Sequence, residues 1–396
     1  MSRTKSILYS LLGQLFLVLS IPVITRLYSP ETVGAYGELL AVATIIGINS
    51  ALKLDVSLVS TPTKLKSKHI LSASLIITTV VCFLASIIYG SLKLNSIYSI
   101  SLLFFLSFSI SVNQLMIYFE TARSNIQFIS RARLKRGFFA ASFQSCGGAI
   151  SSSLSTLVLS LAFSNFLSLQ NRIGYVFRMY CIGFKNRFLI NKVIKDKFDF
   201  CKFSLPQGLL NSISTNMPII YFGLVGEYHL LGLYVVAERF IRSPVNFINV
   251  AIRQIFIADY RKSDSKINCY FMWLIPLIMI CAILSFLIYN YSGDVINVIL
   301  GNEWSQVTDI ILILLPWLIL SVIQVPASGT FIVNNKIKLY AKIEVIDFVF
   351  KLLALFIGFL NNDVRLSLCL FVIVGCSTYI VTVTSSLFMN LSNRIK

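Results

Sequence analysis

The chain has 396 residues, of which 56% are hydrophobic and only 13% are charged, and its mean hydropathy is +0.81. A soluble globular domain carries about 25% charged residues, so the composition excludes an ordinary soluble protein. The net charge of +18 would indicate nucleic-acid binding in a soluble protein. Here the cations lie between apolar runs, where they set membrane orientation, and we expect no nucleic-acid partner.

Apolar runs recur along the whole chain, and about 20 such residues suffice to span a bilayer. We predict an all-α polytopic membrane protein with about twelve transmembrane helices. The serine-rich segment 138–169 also fits one long helix followed by a bent one. In chain order, the predicted spans are 7–27, 33–60, 70–92, 96–119, 138–153, 155–177, 204–226, 231–257, 268–291, 305–332, 338–360 and 364–389.

The basic residues predict how the chain is oriented. Arg3 and Lys5 precede the first apolar run, which lacks an A-x-A cleavage site and therefore indicates an uncleaved first span. With a cytoplasmic N-terminus, the outer loops hold only Arg26, Lys93 and Arg365 of the 34 Lys and Arg residues. This bias predicts that both termini are cytoplasmic.

The longest predicted cytoplasmic loop, 178–203, lies near the middle of the chain. It divides the protein into an N-terminal six-helix bundle, 1–190, and a C-terminal six-helix bundle, 191–396. An even number of spans in each half gives both halves the same orientation. We therefore expect a parallel repeat around a central cavity, an arrangement in which transporters bind their substrate between the halves.

Motifs for covalent chemistry are missing from the sequence. It contains no G-x-x-x-x-G-K-[ST] nucleotide loop and no H-E-x-x-H pair. The eight cysteines form no C-x-x-C, and His69 and His229 are far apart in sequence. We expect no catalytic residues, no metal site and no cofactor.

Ionisable residues inside the predicted spans are costly, so they mark a pathway or an internal ion pair. In the eighth span, Glu238 lies beside a stripe of polar residues with helical spacing: Arg239, Arg242, Asn246, Asn249 and Arg253. The eleventh span carries Glu344, Asp347 and Lys351 on one face. Two arginines one turn apart favour an anionic cargo, because guanidinium groups bind phosphate oxygens in pairs.

Other spans add polar groups that face the same predicted cavity. The second span carries Asn49, Lys53 and Asp55, and the first and seventh carry Gln14 and a stripe with Gln207, Asn211 and Ser214. The fourth has Ser107, Ser111, Gln114 and Tyr118 at helical spacing. The alternative is that these groups only hold helices together, with Asp347 paired to Lys351, Glu238 to Arg242 and Asp55 to Lys53.

Four segments resemble the flippases of lipid-linked O-antigen repeat units, members of the multidrug/oligosaccharidyl-lipid/polysaccharide exporter superfamily. The segments are TRLYSPETVGAYG at 25–37, LKLDVSL at 52–58, VAERFIRSPVNF at 236–247 and ILGNEW at 299–304. They occur in order at the matching spans. Lys53 stands where the family more often has arginine, and Leu54 where it often has an aromatic residue.

The resemblance implies a cargo, an oligosaccharide on undecaprenyl pyrophosphate, that moves from the cytoplasmic to the periplasmic leaflet of the bacterial inner membrane by alternating access. It implies a transporter, not an enzyme, and contacts with membrane lipids, a polysaccharide polymerase and a chain-length regulator. The expected cargo-binding residues are Arg239, Arg242, Lys351, Lys53, Gln14 and Asn211. The expected coupling residues are Asp55, Asp347 and Glu238.

Two other functions are compatible with the same hydropathy pattern. An ion-coupled multidrug exporter of the superfamily would use an acidic residue in the cavity, but the first and seventh spans contain none within the bilayer. A membrane polymerase or ligase of the polysaccharide pathway would carry a large periplasmic loop. The predicted outer loops are all short.

The orientation can be tested with single cysteines and an impermeant thiol reagent. We expect cysteines at Lys135, Lys192 and Lys338 to be protected in intact cells, because the charge bias places these positions in the cytoplasm. Cysteines at Lys93 and Asn302 should react from outside. Labelling of position 192 from outside would rule out two halves of six spans.

Overall fold

The computed structural model describes residues 3–59, 64–94, 96–263, 265–334 and 336–395. Within these ranges the chain is helical and contains no β-strand, which confirms the predicted all-α polytopic fold. The α-helices of the N-terminal part are α1 (Arg3–Leu19), α2 (Ile21–Leu27), α3 (Pro30–Asn49), α4 (Leu54–Val59), α5 (Lys64–Tyr89), α6 (Ile97–Ala122), α7 (Ile126–Ile150), α8 (Leu154–Ser168) and α9 (Ile173–Lys185).

The remaining α-helices include four of more than thirty residues. A π-helical turn, Gly90–Leu94, follows α5, and short 3₁₀ turns cover Gln170–Arg172 and Asn302–Trp304. The helices are α10 (Arg187–Val225), α11 (Tyr228–Lys262), α12 (Lys266–Leu300), α13 (Val307–Ile323), α14 (Val325–Val333), α15 (Ile337–Leu360) and α16 (Val364–Ile395).

Seven helical segments in the described part of the chain are long and apolar enough to cross a membrane. The full number of about twelve spans stays a prediction. Helices α11 and α15, which carry the charges singled out in the sequence, are not among the seven. The qualifying segments are Leu8–Leu27, Pro30–Asn49, Lys66–Lys93, Ile97–Ala122, Lys266–Leu300, Val307–Val333 and Val364–Leu391.

The second predicted span is interrupted in the structure. It begins as the sequence suggests, since the Ser29 side chain accepts a hydrogen bond from the Thr32 amide and Pro30 occupies the first turn. After Asn49, however, Leu52 and Lys53 adopt left-handed backbone angles, with φ of 52° and 62°. These angles end α3, and the chain resumes as the short helix α4.

The serine-rich region combines features of both sequence-based alternatives. Helix α7 is a single long helix that already begins in the arginine-rich segment, and it ends at Ile150. Three serines in an extended stretch separate it from α8. The predicted sixth span then bends, because a 3₁₀ turn divides α8 from α9.

The chain forms two compact units, Met1–Gly232 and Leu233–Lys396. The core of the first unit is aliphatic, with Leu58, Leu71 and Leu115 fully buried, and the second contains the buried aromatic residues Phe256 and Tyr270. The two units are defined by which residues are in contact in space. The predicted bundles 1–190 and 191–396 are instead the two halves of a predicted repeat. That division stays a prediction.

Candidate functional site

Trp317 of α13 lies at the centre of a charged cluster in the second unit. The Arg242 guanidinium of α11 and the Lys351 ammonium of α15 are each 5.4 Å from the centre of its ring. Lys351 is also 5.1 Å from the ring centre of Phe371. Cations at such distances are attracted to the negative face of an aromatic ring. Two predicted cargo-binding residues from different helices therefore meet at one tryptophan.

Both cations in this cluster also hold a carboxylate partner one helical turn away. The Arg242 guanidinium donates to Glu238, and the Lys351 ammonium donates to Asp347 Oδ2 at 2.7 Å. The other oxygen of Asp347 accepts a 2.8 Å hydrogen bond from the Thr378 hydroxyl. Two of the three ion pairs considered in the sequence are thus formed, and these four residues together have no net charge.

Trp317 itself was missed by the sequence reasoning. Its ring is stacked on Tyr379, with 6.5 Å between ring centres and 3° between planes, and it meets Phe371 edge-on at 5.7 Å. Its indole nitrogen is buried and has no hydrogen-bond partner among the described residues. The available signal was a single tryptophan after Pro316 in a run of aliphatic residues.

The other polar residues of α11 extend from this cluster along the helix. Arg239 is partly buried, one turn before Arg242. The Arg253 Nε and Asn249 Oδ1 atoms are buried without a hydrogen-bond partner in the described part of the unit. The side chain of Asn246 lies outside the described residues. Buried polar atoms without a partner are uncommon in native proteins.

In the first unit, Lys53 is buried against α10. Its ammonium donates to the Ile48 carbonyl at 3.4 Å, and its stem fills the space above Gly208, where a Cβ atom would collide with it. Nearby, the Asn49 amide donates to Ser212 at 2.9 Å, and its own Oδ1 lacks a partner among the described residues. Asn49 and Lys53 of the second predicted span therefore contact α10.

Asp55 is almost completely buried at the start of α4, with 1% of its surface exposed. Its Oδ2 accepts a 2.7 Å hydrogen bond from the Gln114 amide of α6, and its Oδ1 has no hydrogen-bond partner among the described residues. The hydrogen-bonding partner of Asp55 is thus Gln114. It is not Lys53, which the sequence analysis paired with Asp55 in the alternative where the polar groups only hold helices together.

Two other predicted cargo-binding residues, Gln14 of α1 and Asn211 of α10, are both exposed.

A second buried charge in the first unit was also missed. Glu38 of α3 is 5% exposed and forms an ion pair with Lys93, which the sequence places in a loop. The Tyr89 hydroxyl donates to Glu38 at 2.8 Å, and the Lys93 ammonium donates to the Gly223 carbonyl of α10 at 2.5 Å. These contacts tie α3, the end of α5 and the end of α10 together.

The segment around 226–232 completes this second cluster. A side-chain contact of 2.8 Å joins His229 to Glu31, and Lys93 lies 6.0 Å from the ring centre of Tyr228. The backbones approach so closely that a Cβ atom on Gly34 would collide with the Tyr228 carbonyl. Sequence spacing provided no signal for the cluster, because the residues that contact each other across it are separated by 50 residues or more along the chain.

The chain is similar to known proteins in sequence and in fold. The sequence model of a family described as polysaccharide biosynthesis protein matches residues 23–309, which is more than half of the chain. No curated protein sequence matches. Solved structures share the fold at low identity, and three are of particular interest.

The first of these structures is a lipid II flippase, MurJ, in an inward closed conformation, with a TM-score of 0.68, 14% identity, and 96% of this chain and 87% of that chain covered. The second is a multidrug resistance MATE family transporter of the MOP superfamily in an inward-facing conformation, with a TM-score of 0.64, 11% identity, and 97% and 96% covered. The third is a MOP superfamily transporter from Pyrococcus furiosus, with a TM-score of 0.51, 12% identity, and 97% and 92% covered.

The buried Glu38–Lys93 pair generates a stability prediction. Lys93→Met should lower the melting temperature of the purified protein markedly, because Glu38 would stay buried without its cation, at a cost of about 3–5 kcal/mol. Glu38→Gln combined with Lys93→Met should recover much of that loss, since no charge remains unpaired. A double variant that is no more stable than Lys93→Met would show that the pair is not coupled.

Proposed function

The chain belongs to the polysaccharide biosynthesis protein family, and from this membership we propose that it is a transporter that moves a lipid-linked oligosaccharide across the membrane. The observation that carries the proposal is the cluster in which Arg242 and Lys351 converge on the buried Trp317. The fold shared with a lipid II flippase supports it.

A sugar–pyrophosphate head group is too polar to cross hydrocarbon unaided, so a flippase must replace its water with protein groups. Arginine binds phosphate oxygens in a bidentate manner, and lysine provides a point charge. In our proposal, Arg242 and Lys351 hold the pyrophosphate with Arg239, and Lys53 is a further cargo-binding residue. The exposed amides of Gln14 and Asn211 are suited to hydrogen bonds with sugar hydroxyls.

The ion pairs of the cluster suggest how cargo and coupling ion are linked. Without cargo, Glu238 and Asp347 compensate Arg242 and Lys351. A pyrophosphate that takes over these cations leaves the two carboxylates without partners in a low-dielectric site. An unpaired carboxylate in such a site is costly, so in our proposal cargo binding and the arrival of a coupling cation at Glu238 and Asp347 accompany each other.

The finer features of the proposal follow from the family resemblance and from charge. The cargo is an oligosaccharide on undecaprenyl pyrophosphate, such as an O-antigen repeat unit, and it moves from the cytoplasmic to the periplasmic leaflet of the inner membrane. A membrane potential that is negative inside favours this movement of an anion by about 2.3 kcal/mol per charge per 100 mV. No bond is made or broken. A polymerase and its chain-length regulator would receive the cargo.

An ion-coupled multidrug exporter is the second candidate, and one observation favours it. The Trp317 cluster has no net charge, and an aromatic cluster with paired carboxylates also suits an organic cation. The two candidates differ in phenotype. Loss of a drug exporter raises drug sensitivity and leaves surface polysaccharide intact, whereas loss of the flippase removes the polysaccharide.

The first test of the flippase proposal replaces Arg239 and Arg242. Arg→Lys at each position should keep part of the activity and Arg→Ala little, because lysine retains the charge but not the bidentate geometry. The measurement is surface polysaccharide in a strain lacking the gene, normalised to the amount of protein in the membrane. Normal export by a stable Arg239→Ala, Arg242→Ala variant would refute the cargo role.

A matched variant separates cargo binding from a purely structural ion pair. If Arg242 only neutralises Glu238, then Arg242→Ala should lower the amount of folded protein, because Glu238 is left unpaired. In that case Glu238→Gln with Arg242→Gln should restore both the protein level and export, because no buried charge is left unpaired. Under our proposal the same variant is stable but exports little. Restored export in this variant would favour the structural explanation.

The second test concerns coupling through Asp55, whose Oδ1 lacks a hydrogen-bond partner among the described residues. Protonation of this buried carboxylate can shift a balance between two conformations. Transport in vesicles should respond to an imposed ion gradient, and Asp55→Asn should reduce the response several-fold while keeping the Gln114 contact. The same comparison applies to Asp347→Asn. Unchanged transport after collapse of proton, sodium and electrical gradients would remove the coupling role.

A further inference from the structure

The first half of α10 has an unusual outer face. Its inner face packs on the core of the first unit through Ile190, Val193, Ile194 and Cys201, which recur at helical spacing. The opposite face carries both apolar and basic side chains, so it is neither purely polar nor purely apolar. Phe188 and Phe203 are 77% and 75% exposed there, and they alternate with exposed lysines.

The charge of this region is strongly basic. Residues 178–203 contain seven Lys and Arg residues against the two acidic residues Asp196 and Asp199. Lys192, Lys195 and Lys202 are exposed. A helix that presents phenylalanines together with lysines is typical of the membrane interface, where the rings enter the head-group region and the lysines meet anionic lipids.

An apolar cavity of about 270 Å³ opens beside this face. Lys202 is its one charged lining residue, and Lys195 lies seven residues earlier on the same side of the helix. Its other lining residues come from the α3–α4 turn and from α10, and all are apolar or a thiol: Leu52, Leu54, Ile194, Phe198, Cys201, Leu205 and Pro206. An apolar cavity with lysines at its rim matches a molecule that joins a hydrocarbon chain to an anion.

We propose that the first half of α10 binds an anionic phospholipid, with its phosphate on Lys195 and Lys202 and part of an acyl chain in the cavity. The lipid comes from the leaflet adjoining 178–203, which the charge bias predicts to be cytoplasmic. Charge complementarity and the bilayer that surrounds a polytopic protein favour this occupant over a soluble protein partner.

Native mass spectrometry of the full-length protein provides the test, with phosphatidylglycerol and phosphatidylcholine of identical chains as probes. We expect at least five-fold more retained phosphatidylglycerol than phosphatidylcholine. Lys195→Gln with Lys202→Gln should abolish this preference. Lys262→Gln with Lys338→Gln, a matched pair of exposed lysines on α11 and α15, should leave it unchanged. Equal retention of the two lipids, or equal loss in both variants, would overturn the proposal.

The role of the cavity and the identity of the occupant are tested in separate experiments. Cys201→Phe should reduce the retention of lipids with long chains more than that of short-chain lipids, because it fills the cavity, and its melting temperature reports whether the fold is kept. With a photoreactive phenylalanine at position 203, crosslinking in membranes should label lipid. Crosslinks to a protein, or displacement of phosphatidylglycerol by undecaprenyl phosphate at equal concentration, would identify a different occupant and overturn the proposal.

Discussion

A charged side chain inside a membrane-spanning helix must find its partner within the protein, because hydrocarbon offers neither hydrogen bonds nor counter-charge. The described part of this chain meets the requirement with ion pairs at three places. Glu238 is matched by Arg242, Asp347 by Lys351 and Glu38 by Lys93. The same requirement makes such pairs useful to a flippase. A cation that is held in place by a carboxylate is available to a phosphate as soon as the carboxylate can be neutralised, and no unpaired charge has to be buried while the site is empty.

Trp317 explains how two independent ion pairs become one site. Each pair is local to its own helix, so neither would bring α11 and α15 together. The indole ring gives both cations a common neighbour, and its stacking on Tyr379 fixes the orientation of that ring. Aromatic faces also suit sugar rings and organic cations. Under our proposal, the cluster contains groups that suit either of the two candidate cargoes, and the arginine geometry is what favours a phosphate.

The sequence predicts the fold well because its main signals are local. Apolar run length and the positions of prolines and serines are enough for most helices, and the pairs Glu238–Arg242 and Asp347–Lys351 follow from helical spacing alone. Contacts between helices that are far apart along the chain produce no local sequence pattern, so Trp317 and the pair Glu38–Lys93 were missed. The break after Asn49 was missed too, because Leu52 and Lys53 are residues that rarely adopt left-handed angles. A glycine or asparagine there would have signalled it.

Ion pairs within one helix and ion pairs between helices respond differently to a conformational change. A pair one turn apart on a single helix moves with that helix and survives any rigid-body motion. The Glu38–Lys93 pair instead joins α3 to the end of α5, and the Lys93 contact with the Gly223 carbonyl extends the link to α10. Relative movement of these helices would break the link. The local pairs are thus suited to hold cargo through a transport cycle, whereas the long-range pair is suited to report which conformation the first unit adopts.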